Sequence, residues 1–323
     1  VTAPVDPKPL WEFTDTNLGL TYGNPVITKR KDGTWVVVFS SGYNNGTGDG
    51  NGRLYVVDAN TGAAPTGTPT VSSIPTMISD ATPAGTSAIP SGLGKINAWI
   101  EDSSDNTAKR FYGGDLLGNL WRFDVDHLVE PKGKAFLLAT FKTSESTPQP
   151  IMTRPETAEI NHNGVAYPII MVGTGRYLGL SDIADKSVQT VYAVKDTLSS
   201  TSLGNVRLRD DIVVQTLVKL PDDGKGGVAQ RKSSSSTVDW ANASGWRVDL
   251  PSGGERVAID MQLQYNTLAV ISAIPGTNVC KPAGGSSWLY SFDISKGIAP
   301  STAAGITGTY LGDFLGVGLT WIE

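Results

Sequence analysis

Apolar and polar positions alternate along this chain in short runs of five to eight residues, broken by clusters of Gly, Asn, Asp, Ser and Pro. A period of two is the signature of a strand whose side chains point alternately to opposite faces of a sheet. The runs Thr34–Ser40, Ile96–Glu101, Ala135–Phe141, Pro168–Gly173 and Thr267–Ile274 are predicted strands on this basis. Helical periodicity is scarce. One phrase recurs: Gly52-Arg53-Leu54-Tyr55-Val56-Val57-Asp58, Gly118-Asn119-Leu120-Trp121-Arg122-Phe123-Asp124, Gly245-Trp246-Arg247-Val248-Asp249 and Trp288-Leu289-Tyr290-Ser291-Phe292-Asp293, with Val191-Tyr192-Ala193-Val194-Lys195-Asp196 a weaker copy. Leu54 and Val56 fall on one face and Tyr55 and Val57 on the other, so the phrase predicts inner strands buried on both sides. Each Asp then leaves the strand into a turn, as in Asp58-Ala59-Asn60-Thr61-Gly62. Irregularly spaced copies of one strand fit propeller blades carrying insertions better than a strict solenoid.

Between these runs, Ala63–Ser91, Thr143–Pro150 and Ser199–Val238 are rich in Ser, Thr, Pro, Gly or charge and are assigned to loops or insertions. Within the last of these, Lys225–Ser236 is the segment expected to be disordered or to form a mobile tip. Composition agrees with many short strands and turns: 37 Gly and 19 Pro in 323 residues. A net charge of -5 with 18% charged residues supplies no basic surface for nucleic acid or an anionic membrane. Cys280 is the single cysteine, so an internal disulfide is excluded, leaving a free thiol or a bond to a segment outside the chain. No apolar run is long enough to span a bilayer. Residues 1–9, opening Val1-Thr2-Ala3-Pro4-Val5-Asp6-Pro7, read as an interdomain linker rather than a signal peptide, and 10–323 as one domain of a longer protein.

Chemistry-bearing motifs are few. The two histidines, His127 after Asp124-Val125-Asp126 and His162 in Asn161-His162-Asn163-Gly164, read as turn residues. No nucleophile elbow, zinc-protease helix or phosphate loop is present. Asp210-Asp211 and Asp222-Asp223 stand beside Arg or Lys and read as solvated ion pairs. Eight Trp fall mostly inside strand patterns, with Trp240 the one best placed to be exposed and to stack on a sugar. The oxygen-rich loop Asn44–Gly52 carries alternating groups at Asn45, Thr47, Asp49 and Asn51, but one carboxylate makes a weak calcium loop, and a Gly-rich hairpin is the simpler reading.

The long phrase Phe111-Tyr112-Gly113-Gly114-Asp115-Leu116-Leu117-Gly118-Asn119-Leu120-Trp121-Arg122-Phe123-Asp124 resembles the signature of the PilY/PilC family of type IV pilus tip proteins. Trp35-Val36-Val37-Val38-Phe39-Ser40-Ser41-Gly42-Tyr43-Asn44-Asn45, Arg154-Pro155-Glu156 and Gly173-Thr174-Gly175-Arg176-Tyr177-Leu178 resemble further family segments, together covering about Leu10 to Gly297. The resemblance implies an all-β, modified propeller of about seven blades with long loop insertions. It further implies a secreted, non-catalytic module at the pilus tip, associated with the outer membrane of a Gram-negative cell. Its roles there would be to support pilus assembly by opposing retraction, surface adhesion and twitching motility. Implied partners are minor pilins or other tip components and host or abiotic surface ligands, with a monomeric domain and neither nucleic acid nor membrane insertion. The adhesion module that family members usually carry N-terminally is absent from this chain, as is Arg-Gly-Asp.

Some members hold calcium in a loop before the signature, which here corresponds to Glu101, Ser103, Asp105, Thr107 and Lys109. Lys109 stands where a closing carboxylate belongs, and an ammonium repels a divalent cation, so no cofactor is expected. Two other classes fit a propeller. A quinoprotein dehydrogenase would need a vicinal Cys pair in many families and a longer chain, and a carbohydrate-binding propeller would need an exposed aromatic platform.

Overall fold

The computed structural model describes residues 8–67, 69–144, 147–221, 227–276 and 284–321. Cys280, Asp222, Asp223, Lys225, Gly226 and residues 1–7 of the expected linker lie outside that set. Apart from three short 3-10 turns, Leu180–Ala184, Val206–Leu208 and Ser301–Ala303, the regular structure among the described residues is β. No helix there is long and apolar enough to cross a membrane.

Four sheets of four to six strands form, with two two-stranded ribbons, Met77–Ser79 with Thr82–Pro83 and Lys142–Ser144 with Thr147–Pro148. The first sheet is a meander of Val26–Lys29, Trp35–Ser40, Arg53–Asp58 and Ser73–Pro75. Ile96–Ile100, Ala108–Gly114, Asn119–Phe123 and Ala135–Thr140 make the second in the same sequential way. In the third, Glu156–His162, Val165–Gly173 and Thr190–Lys195 are followed by Gly245–Asp249, against which Ile212–Gln215 runs parallel. The fourth orders Leu217–Lys219, Gln230–Ser233, Gly308–Gly312, Gly285–Asp293, Thr267–Pro275 and Gln262–Gln264.

Contacts divide the chain into two compact units, Val1–Phe111 with Arg122–Phe136, and Tyr112–Trp121 with Leu137–Glu323. In the first, Phe39, Tyr55 and Phe13 pack ring against ring at 5.0 to 5.4 Å between centroids. The Tyr55 hydroxyl donates to Asp15 Oδ1 at 2.9 Å. A fully buried ion pair joins Arg30 Nε to Asp126 Oδ1 at 2.8 Å. The second unit is organised around Trp240, Trp246, Trp288, Tyr290 and Phe292, with Met171, Val191, Val257 and Val270 packed among them.

All five strands predicted from alternation are present to within three residues at either end. Leu54, Tyr55, Val56 and Val57 are all buried, as are Val191, Tyr192, Ala193 and Val194, which makes both faces of these inner strands apolar contacts. Each such aliphatic side chain contributes about 1.5–3 kcal/mol. The last copy departs from this: Trp288, Tyr290 and Phe292 are buried, whereas Leu289 and Ser291 are half-buried, so that strand keeps one strongly buried face. Copies of the phrase also do not each found a sheet. Ala193 lies opposite Trp246, so the copies at Val191 and Gly245 are neighbours in the third sheet.

Three sequence assignments are corrected. Ser199–Val238, read as loop or blade insertion, supplies the regular strands Ile212–Gln215, Leu217–Lys219 and Gln230–Ser233. Gln230–Ser233 falls in the stretch expected to be disordered, yet Arg231 is buried there. Charge hid the last of these strands, because the Arg231 side chain is consumed by an ion pair with Glu255 inside the fold instead of by solvent. Trp240, read as the exposed indole, is 1% exposed and donates its Nε1–H to the Ser295 carbonyl at 2.8 Å. Flanking Asp and Asn made its segment look like a surface loop, but the turn folds inward onto the core.

Candidate functional site

The signature turn is built around one carboxylate. Asp115 is fully buried between the strands Ala108–Gly114 and Asn119–Phe123. Its Oδ1 accepts from the backbone N–H of Leu117 and of Asn119, each at 2.9 Å, and its Oδ2 from Asn119 Nδ2 and Trp121 Nε1, again at 2.9 Å. Burial pushes the Asp115 carboxyl up to about 6, against the pull of these four donors toward the charged form. Gly118 closes the turn at φ +77°, and a Cβ there would lie 2.3 Å from the Phe141 carbonyl oxygen. Gly-Asp-x-x-Gly-Asn-x-Trp is therefore a solution to a folding problem: one acid satisfies a tight turn and an indole that must both be buried.

The second family-like phrase is held the same way. Gly175 adopts φ +133°, where a Cβ would meet Arg256 Cβ at 2.4 Å. The buried Arg256 guanidinium donates to the carbonyls of Arg176, Asp182, Asp185 and Gly254 at 2.6 to 2.9 Å, tying down the loop that follows Gly173. Arg176 in turn pairs with Asp182 at 2.8 Å. Arg154 Nη2 meets Glu156 Oε1 at 2.7 Å, a carboxyl that burial raises above its ordinary range.

Sequence reasoning missed the most enclosed polar cluster. Arg231 Nη1 lies 2.8 Å from Glu255 Oε2, and Glu255 Oε1 accepts from Tyr290 OH and Ser272 Oγ, both at 2.6 Å. The Arg231 guanidinium stacks 3.6 Å from the Trp288 ring centroid. Burial, with Glu255 beside it, holds the Tyr290 hydroxyl well above its ordinary range. Arg231, Glu255 and Tyr290 are all buried, and such a closed network positions strands; it offers nothing to a substrate. The signal available in the sequence was a lone Arg at an alternating position in Gln230-Arg231-Lys232-Ser233.

In the two oxygen-rich loops the carboxylates engage protein partners. In the first unit, Lys109 Nζ pairs with the Glu101 carboxylate, while Lys29 Nζ takes Asp105 at 2.7 Å. Those partners hold Glu101 and Asp105 below the usual carboxylate range. Asp102 caps its own turn through Ser104, and Ser103 is exposed. In the other loop, Asn45 Nδ2 donates to the Asn51 carbonyl at 2.5 Å, and the Asp49 carboxylate is engaged by Arg53 and by the Asn51 N–H. Asn51 Oδ1 accepts from Gly85 N at 3.1 Å. Asn45 Oδ1 is a buried side-chain oxygen without a hydrogen-bond partner. Thr107 forms an isolated β-bridge with Lys29, and Thr47 donates to the Thr16 carbonyl at 3.3 Å. Among the described residues no group of three or more His, Cys, Asp or Glu is disposed to share a metal.

The remaining candidates are turn chemistry. His127 is exposed at φ +55°. Asn163 and Gly164 form the two-residue hairpin loop, both at positive φ, and His162 beside it lies 3.1 Å from Asp239. Asp211 pairs in a fork with Arg209, which holds its carboxyl low. The recurring seam Asp is a turn acceptor: Asp58 Oδ1 takes the N–H of Asn60 and Thr61, and Asp293 Oδ1 that of Ser295.

One open cleft of about 590 Å³ lies in the second unit, lined by Tyr265, Trp321, Gln264, Asn266, Asp293 and Thr302 among others. Tyr265 is 86% exposed and Trp321 41%.

Comparison with known proteins adds the following. Residues 11–219 match the family described as the PilY1 beta-propeller domain. The chain is 28% identical over 306 residues to a type IV pilus biogenesis factor PilY1 homolog of Xylella fastidiosa strain Temecula1, covering 89% of this chain and 20% of that protein. It is 27% identical over 332 residues to the type IV pilus biogenesis factor PilY1 of Pseudomonas aeruginosa PAO1, covering 91% of this chain and 27% of that protein. It thus spans about a fifth to a quarter of the length of the curated relatives it matches. The crystal structure of the Pseudomonas aeruginosa PilY1 C-terminal domain superposes with a TM-score of 0.70 at 22% identity, covering 94% of this chain and 69% of that one, which shows the shared fold.

Proposed function

Because the chain belongs to the PilY1 β-propeller domain family, matched over residues 11–219, we propose that it is a non-catalytic module of a type IV pilus biogenesis factor. Its role is to support pilus assembly by opposing retraction, and to carry surface adhesion and twitching motility. It works at the pilus tip, on the surface of a Gram-negative cell and associated with the outer membrane. Residues 10–323 act there as one monomeric propeller domain against minor pilins or other tip components. The observation that supports a scaffold role is the construction of the signature turn: the residues that mark the family close on one another around buried Asp115 instead of facing solvent. The test is deletion of this region from the full-length gene, with surface pili counted in cells whose retraction motor is active and in cells where it is disabled. Pili lost in the first and restored in the second are expected. Normal piliation and twitching in the deletion strain would overturn the reading.

The domain is further proposed to act without calcium, since Lys109 occupies the Glu101 carboxylate and Asp49 is engaged by Arg53. Calorimetry on the chelator-treated domain is expected to show no calcium binding. Micromolar binding lost in Asp105→Ala or Asp49→Ala would overturn this and identify the loop.

A further inference from the structure

The 590 Å³ cleft falls within the roughly 300–1,000 Å³ of small-ligand sites. Its walls come from four places: the Gln262–Gln264/Thr267–Pro275 hairpin, the end of the Gly285–Asp293 strand, the 3-10 turn Ser301–Ala303 with Pro300 before it, and Trp321. Gln264 pairs with Thr267, so Tyr265 and Asn266 alone form the hairpin loop, at φ +45° and +61°. A two-residue loop with both φ positive calls for Asn or Gly at each position. Asn266 meets that demand. Tyr265 does not, and a bulky aromatic residue at positive φ is an outlier with a conformational penalty. The strained conformation is fixed from behind, as the Asn266 carbonyl accepts from Ile294 N at 3.0 Å. Ala304, just beyond the 3-10 turn, is a third non-glycine residue with positive φ, at +47°. Three of the eight such residues in the described chain therefore line or flank this one cleft.

The strain has a product. Tyr265 stands almost wholly in solvent, and Trp321 is the other aromatic residue on the wall. Exposed rings of this kind offer flat apolar faces. Around them stand amides and hydroxyls, Gln264, Asn266 and Thr302, which both donate and accept hydrogen bonds. Asp293 spends Oδ1 on Ser295 and places Oδ2 3.9 Å from Lys296 Nζ. Among the described residues no Lys, Arg or His lines the cleft, so its chemistry does not suit an anion, and its polar rim does not suit a purely apolar ligand. Aromatic faces flanked by amides and hydroxyls, open to solvent, match a ligand with C–H faces and a ring of hydroxyls.

We infer that this cleft is a carbohydrate-binding site in which Tyr265 and Trp321 stack on sugar rings while Gln264, Asn266 and Asp293 take up their hydroxyls. This deepens the adhesion part of the proposed function by naming a ligand class, and it replaces Trp240, which is buried, as the aromatic platform. The test starts with the 323-residue chain on an array of neutral and N-acetylated oligosaccharides, followed by calorimetric titration with the best-bound glycan. Tyr265→Asn removes the ring while supplying a residue that suits positive φ, so loss of binding cannot be blamed on misfolding. Trp321→Ala tests the opposite wall, and Trp35→Ala, an exposed indole of the first unit, is the control. The expected result is binding weakened at least tenfold by each cleft variant and unchanged by Trp35→Ala. A blank array, or affinity that survives Tyr265→Asn and Trp321→Ala, overturns the inference. Pilus counts in cells carrying Tyr265→Asn separate the two readings, since assembly is expected to be intact there whichever way the titration falls.

Discussion

The second unit contains two tight turns of opposite construction. Around Asp115 both carboxylate oxygens are matched, the Asp115, Asn119 and Trp121 side chains are buried, and the strained position is a glycine. At Tyr265 the strained position carries a large ring held 86% exposed, in a loop where Asn or Gly would sit without penalty. The first turn is what the fold needs in order to exist. The second has a conformational penalty, which the ligand-stacking role proposed for its ring would explain.

The largest effect that would break this contrast is expected at Asp115. Asp115→Ala leaves two backbone N–H groups, the Asn119 amide and the Trp121 indole without an acceptor in a site closed to water, a loss of about 3–5 kcal/mol. Urea unfolding followed by tryptophan fluorescence measures it, and a loss below about 1 kcal/mol would mean that the turn is not the keystone described.

A smaller effect sharpens the contrast through pH. The Asp115 carboxyl sits near 6 in the fold and near 3.9 when unfolded, so between those values the folded chain holds the extra proton. Stability from this group is greatest below about pH 4, falls as pH rises to about 6 by roughly 3 kcal/mol, and is level above that. Asp211, held low by Arg209, acts in the opposite sense and loses stability as pH falls, so the quantity to follow is the difference between wild type and Asp115→Asn. A difference that does not change between pH 4 and 7 would show that the four donors outweigh burial. The smallest effect is at the exposed turn, where Tyr265→Asn is expected to raise stability by about 0.5–1 kcal/mol, read as a higher Tm. A lower Tm would mean that the ring serves the fold after all.

The same contrast governs what could be read from the sequence. Inner strands were legible because alternation survives in them undisturbed: Leu54 to Val57 and Val191 to Val194 point apolar groups to both faces. The signature was legible because Asp115, Gly118, Asn119 and Trp121 solve a single local problem in seven residues. Arg231 was not, since its partner Glu255 is 24 residues away and Tyr290 59, and a buried cation looks like a surface one until both are placed. Trp240 was misjudged for a related reason. Its burial depends on the carbonyl of Ser295, which no local pattern reveals. The cleft was illegible as well, because Tyr265 and Trp321 are 56 positions apart and each alone is an ordinary surface aromatic residue.

The strand order of the fourth sheet also sets a timetable. Gln230–Ser233 pairs with Gly308–Gly312, so the segment carrying Arg231 has no neighbour on that side until Gly308–Gly312 has been made. Hairpins such as Glu156–His162 with Val165–Gly173 close as soon as they emerge, but this pairing spans some 75 residues and pays its loop-closure entropy last. Until the late strand arrives, the Arg231 edge is open and its charge solvated. Nascent chains are thus most vulnerable to mispairing at that edge, and arrival of Gly308–Gly312 is the event that converts a half-assembled sheet into a sealed one.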